Sequence, residues 1–134
     1  MSDRTLWYTR ECEEWLRSTL DQEPRPPKRK LYPSEELWNV FVAFILGRPM
    51  AYDVDLKKLE PLPFHVWEFK TISVRAFGFF YRRSTFIVHH GEMKRNVANW
   101  GAYEPHIRRV RDYMATIDLD PPPCLTETRL QDVL

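Results

Sequence analysis

The stretch HVWEFKTISVRAFGFFYRRSTFIVHHGEMKR, His65 to Arg95, decides the fold. From Val66 the apolar residues repeat with period two, and VWEFK, SVRAFGFFYRR and STFIVHHG are set apart by the short turn-like pieces TIS and RRS. That pattern predicts an antiparallel meander of three strands. The same stretch crowds aromatics, cations and two adjacent histidines together, so the sheet needs both a buried face and a face with other work.

Upstream, TLWYT (Thr5 to Thr9) has the β-branched and aromatic composition of a short strand. RECEEWLRSTL follows and places Cys12, Trp15, Leu16 and Thr19 on one helical face. Pro24, Pro26, Pro27 and Pro33 then forbid a continuous helix and predict an extended insert over 24–33. PSEELWNVFVAFILGRP carries helix punctuation, with Ser34 as N-cap, Glu35 and Glu36 near the positive end of the dipole, and Gly47 and Pro49 at the close. The β-branched run within it also fits a strand, although caps and length favour helix. AYDVDLKKLEPLP reads as a polar connection. Downstream, Pro105 fits the first turn of a last helix striped by Ile107, Val110, Met114 and Ile117. The element order β-α-α-β-β-β-α predicts an α+β sandwich of two layers, with helices on one face of an antiparallel sheet and the other face open.

A length of 134 residues suits one domain, taken as 1–117, followed by an acidic, proline-containing tail over 118–134 that is expected to be loosely attached. The 43% hydrophobic and 29% charged shares are those of a globular chain, and 14% aromatic residues exceed what a core alone needs. Cys12 and Cys124 match no metal spacing and read as free thiols. The charged start MSDRTLWYTRECEEWL lacks a secretory apolar core, and Val40 to Leu46 is too short to cross a bilayer, so a cytoplasmic protein with no membrane partner is expected.

The net charge of +1 conceals an asymmetry. Residues 57–111 hold 11 Lys/Arg against 4 Asp/Glu, while residues 1–56 hold 8 against 10 and residues 112–134 hold 1 against 5. A middle of +7 between acidic flanks fits a phosphate-binding surface, and it equally fits a solvated face with internal ion pairs.

LWYTRECEEWL, LKKLEPLPFHVWEFK, VRAFGFFYRRSTFIVHHGEMKR and PHIRRVRDYM together resemble the HigB-like, phage-derived branch of the RelE/ParE toxin superfamily over most of Leu6 to Met114. Order and spacing carry this resemblance more than any single motif. Lys70 stands where the family often has Arg, HHGEMKR replaces an aromatic followed by two lysines, and the insert at 24–33 and the tail are extra. The resemblance implies a toxin of a type II toxin–antitoxin system, an mRNA endonuclease working with the ribosome and neutralised by an antitoxin protein. It implies cleavage without metal or other cofactor, by attack of the ribose 2′-OH on the adjacent phosphate. That chemistry asks for a base, an acid and cations for the charge gathering on phosphorus.

On this resemblance Arg75 is the expected transition-state clamp, Lys70 a phosphate neutraliser, His90 the histidine of the His-Gly step, and Tyr113 a catalytic or base-stacking residue. His89 is expected on the opposite face from His90, because side chains alternate along a strand. Arg82, Arg83, Lys94 and Arg95, with His89, are expected to contact RNA. A histidine on a sheet is also an ordinary packing residue, and Tyr113 borders the apolar stripe. The same superfamily includes ParE-like inhibitors of DNA gyrase, and a non-catalytic phage accessory protein that binds RNA or protein is a third reading.

Overall fold

The computed structural model describes residues 3–117 and 123–134. Its elements are β1 (Thr5–Tyr8), α1 (Arg10–Ser18), α2 (Pro33–Ile45), β2 (Leu56–Lys58), β3 (Trp67–Lys70), β4 (Val74–Arg82), β5 (Thr85–Met93), α3 (Trp100–Thr116) and α4 (Leu130–Val133). Short 3-10 turns lie at Leu20–Gln22, Leu62–Phe64 and Lys94–Asn96. The class is α+β. No helix among the described residues is long and apolar enough to cross a membrane.

The expected meander is present as β3, β4 and β5, paired antiparallel. The sheet is larger and mixed: its five strands run in the order β1-β5-β4-β3-β2, and β1 lies parallel to β5. The edge strand β2 lies inside the segment read as a polar connection, because three residues too short to show a period are held by pairing with β3.

The helices occupy both faces, so the expected two layers are three. Period-two alternation along β4 sends Val74, Ala76 and Phe80 to one side, where α1 contributes Cys12 and Leu16 and α2 contributes Leu37, Phe41 and Phe44. It sends Phe77 and Phe79 to the other side, beneath Ile107, Val110 and Met114 of α3. The sequence reading left that second face open because a basic, histidine-bearing face offers a weak apolar signal. Phe41 and Phe44 meet Phe69 edge-on at 5.3 and 5.5 Å, and Phe69 meets Phe86 at 4.8 Å. Such pairs add about 0.5–1.5 kcal/mol each beyond burial.

Local chemistry sets the helix ends. Thr9 caps α1, its hydroxyl accepting from the Cys12 amide at 3.1 Å. α2 begins one residue before the expected cap Ser34: Pro33 is its first residue, and the Tyr32 amide donates to Glu35 Oε1 at 2.9 Å. α3 starts at Trp100, capped by Asn99, so Pro105 lies inside the helix and not in its first turn.

The segment expected to be loose is packed where it is described. The Leu125 amide donates to Phe80 O at 2.8 Å, Val133 is fully buried, and Arg83 Nε donates to Leu134 O at 2.8 Å. Asp118 to Pro122 lie outside the described residues. Cys12 and Cys124 are free and buried, as the spacing suggested.

Candidate active site

The face of the sheet under α3 gathers the ionisable groups. Its centre is set by an irregularity in β5: Phe77 pairs with His90 but Gly78 pairs with Val88, which leaves His89 as an extra residue. This β-bulge cancels the alternation, so His89 and His90 both face α3, against the expectation that they point opposite ways. Two features accommodate the bulge. Gly78 has no Cβ, which would lie 1.9 Å from Ile87 O, and the Thr9 hydroxyl donates to His89 O at 2.6 Å.

The two imidazoles begin a row. His89 Nδ1 lies 2.7 Å from His90 Nδ1, and His90 Nε2 lies 2.9 Å from Nδ1 of His106 on α3. Carboxylates stand at both ends, Glu11 Oε2 at 3.6 Å from His89 Nδ1 and Glu92 Oε2 at 4.0 Å from His106 Nε2. Phe77 stacks on His106 with the ring planes 10° apart and 4.8 Å between centroids. Burial is the main force holding these imidazoles neutral: it lowers His89, lowers His106, and drives His90 down to about 2, with the neighbouring Arg109 charge acting in the same direction. Arg109 is itself ion-paired with Glu11.

Arg75 is inside the protein, not on an open face. Its Nη1 donates to Thr71 O at 2.5 Å and to Val74 O at 3.0 Å, while its Nε lies 4.0 Å from Glu68 Oε1 and has no hydrogen-bond partner. Burial raises the Glu68 carboxyl and the Arg75 charge opposes it. Tyr103 of α3 donates to Glu68 Oε1 at 3.3 Å. One side of Arg75 reaches a cleft of about 480 Å³, which Lys94, Arg95, Glu23 and, from the proline insert, Pro24 and Pro26 also line.

The expected site residues therefore separate. Arg75, Lys94 and Arg95 share the cleft, and Arg95 is paired there with Glu23. Lys70 pairs with Arg75 in register, yet its ammonium turns to Asp53 Oδ1 at 2.6 Å and lines a different hollow. His90 and His89 are 1% and 7% exposed, too little to meet a phosphate as they stand. Tyr113 lies 4.8 Å from the His89 ring and lines an aromatic hollow with Trp7, Tyr8 and Tyr81. Arg82 stacks over Tyr81, and Arg83 holds the C-terminal residues. Arg75 and Arg82 are about 23 Å apart along β4 at roughly 3.3 Å per residue, so one phosphate group does not meet both ends.

Reading the sequence missed His106, Glu11, Glu92, Glu68 and Tyr103. A signal for the α3 pair existed: Tyr103, His106, Val110 and Tyr113 recur at helical spacing beside the apolar stripe. The carboxylates reach the site through long-range pairing that no local pattern carries. No protein-family model matches the chain, and no curated protein matches it.

Proposed function

We propose that the protein is an mRNA endonuclease of the RelE/HigB type, a translation-inhibiting toxin held in check by a partner antitoxin and acting with the ribosome. The observation that carries this reading is the cleft in which Arg75, Lys94 and Arg95 converge. Three cations at one concave place, of which Arg95 must first leave its ion pair with Glu23, suit a phosphate on which charge builds during attack. In the proposed reaction the ribose 2′-OH gives up its proton, its oxygen bonds to phosphorus, and the bond to the 5′-oxygen breaks as that oxygen takes a proton. Glu92, which pairs with Arg75 across the sheet, and His106, with side chains 27% and 13% exposed, are assigned those proton transfers in place of the buried His90.

The test is primer extension on a defined mRNA, with and without translating ribosomes. Cuts at codon positions that need ribosomes are expected from the wild type, with a loss of about 10²-fold or more when Lys94 and Arg95 are both replaced by Ala. These exposed positions are preferred to Arg75→Ala, which strands Glu68 in the interior and costs roughly 3–5 kcal/mol. Cleavage that is absent under every condition supports the second reading, a ParE-like or other non-cutting binder. That reading draws on the burial of His89 and His90 and on the neutralisation of Lys70 by Asp53.

A further inference from the structure

The inner end of the histidine row takes no part in the cleft. There the bulge turns His89 and His90 toward Glu11, in the first turn of α1, and one ligand atom from each of the three residues lies within 4.8 Å of the other two. We propose that Glu11, His89 and His90 form a binding site for a divalent transition-metal ion of the zinc type, which pins α1 to the bulge of β5.

The spacing is close to what such an ion needs. Ligand bonds of about 2.0–2.1 Å in a tetrahedron place donor atoms about 3.3 Å apart. The histidine pair at 2.7 Å opens by a few tenths of an ångström, the Glu11 to His89 pair at 3.6 Å closes by less, and the Glu11 to His90 edge, within 4.8 Å, closes through the exposed Glu11 side chain. Two imidazoles and one carboxylate are a borderline donor set that favours zinc over magnesium or calcium, with water completing the shell.

The tautomers also point inward. In the tautomer that puts the His106 proton on Nε2, toward Glu92 Oε2 4.0 Å away, His106 Nδ1 accepts and His90 Nε2 donates to it. His90 Nδ1 is then left with a lone pair facing Glu11 and His89. A ligating histidine is usually held by its other ring nitrogen, and here a second histidine, His106, takes that supporting place. His89 gives up its Nδ1 proton to Nε2 when the ion binds. The two histidines are buried and Glu11 has a side chain 48% exposed, so the ion enters past the carboxylate. Arg109 competes for that carboxylate and weakens the site. None of the three ligands lines the cleft, so the site stands apart from the endonuclease reading and survives its failure.

Calorimetric titration of the untagged chain with ZnCl₂ tests the proposal, with visible absorption of the Co²⁺ form alongside. One ion per chain, a raised Tm, and Co²⁺ bands of four-coordinate intensity are expected. Glu11→Gln weakens binding at least about 10-fold. Arg109→Met strengthens it, because the carboxylate is released, and His89→Asn abolishes the Co²⁺ bands. Glu11 is on an exposed helix turn, so its variant remains informative if His89→Asn does not fold. No saturable binding by the wild type overturns the site. Binding that Glu11→Gln leaves unchanged puts the ion elsewhere, on His65 or the cysteines, and overturns it equally.

Discussion

Arg75 and Lys58 are both cations inside the protein, and their surroundings set them different tasks. Arg75 has a buried carboxylate beside it, whereas Lys58, 2% exposed, reaches only carbonyls, with Nζ donating to Leu62 O at 2.6 Å and to Leu59 O at 3.4 Å. Burial lowers Lys58 from 10.5 to about 8, partly opposed by Glu60 and Cys124. At this group the unfolded chain therefore holds more protons than the folded one between about pH 8 and 10.5, and the contribution of Lys58 to stability rises with pH across that window. From pH 8 to 9 Lys58 alone contributes about 1 kcal/mol, while the buried thiols of Cys12, held up at about 12, and Cys124, also raised by burial, act in the opposite direction over the same range and more strongly above it. The stability of the wild type relative to Lys58→Met, from urea titrations through this range, should therefore grow as pH rises. A difference that does not change with pH would show that Lys58 keeps its ordinary affinity for protons. Nothing in the run LKKLEP marks one lysine as interior. Lys57 and Lys58 alternate across β2, and only pairing with β3 decides which of them faces in.

At the level of elements, what was legible is what local pattern encodes. β3, β4 and β5 were readable because alternation runs through each of them, α1 because of its apolar spacing, and α2 because its apolar spacing is joined by acidic residues at the start and Gly47 and Pro49 at the close. The bulge was not, since Phe86 and Val88 keep perfect alternation up to His89 and the break depends on β4. Gly78 is where β4 accommodates it: a Cβ there meets Ile87 O at 1.9 Å, a backbone atom that moves only with the strand. At Gly91 the added carbon meets the Trp15 ring at 2.4 Å, on the α1 side. Gly78→Ala is thus expected to cost about 1–3 kcal/mol or more, and a smaller residue at position 15 should not recover it. Gly91→Ala also destabilises, but Trp15→Leu in the same chain should restore much of the loss. Equal rescue of both would mean that the bulge relaxes freely, and the joint orientation of His89 and His90 would lose its structural cause.

At the scale of the molecule, the charge asymmetry is arranged by position along β4 and β5. Arg75, Lys94 and Arg95 gather at one end of these strands, while the C-terminal residues dock at the other, where the Ser84 amide donates to Val133 O at 2.6 Å. An acidic tail read from sequence alone invites the idea that it covers the basic face and screens it from RNA. Packing places Val133, Leu125 and Leu130 with the aromatic core on the α1 side of the sheet, so the described part of the tail serves the fold. Burying a side chain of this kind contributes about 1.5–3 kcal/mol. Deleting residues 129–134 should lower the unfolding free energy from urea titration by that order, because Val133 and the α4 turn leave together. The affinity of the folded fraction for a single-stranded RNA oligonucleotide, and its salt slope, should stay as they are, since no phosphate-facing cation of the cleft is uncovered. Fluorescence anisotropy across a salt series, beside urea titration, reads both quantities. A truncated chain of unchanged stability that binds RNA more tightly would reverse this assignment and make the tail a screen for the cleft.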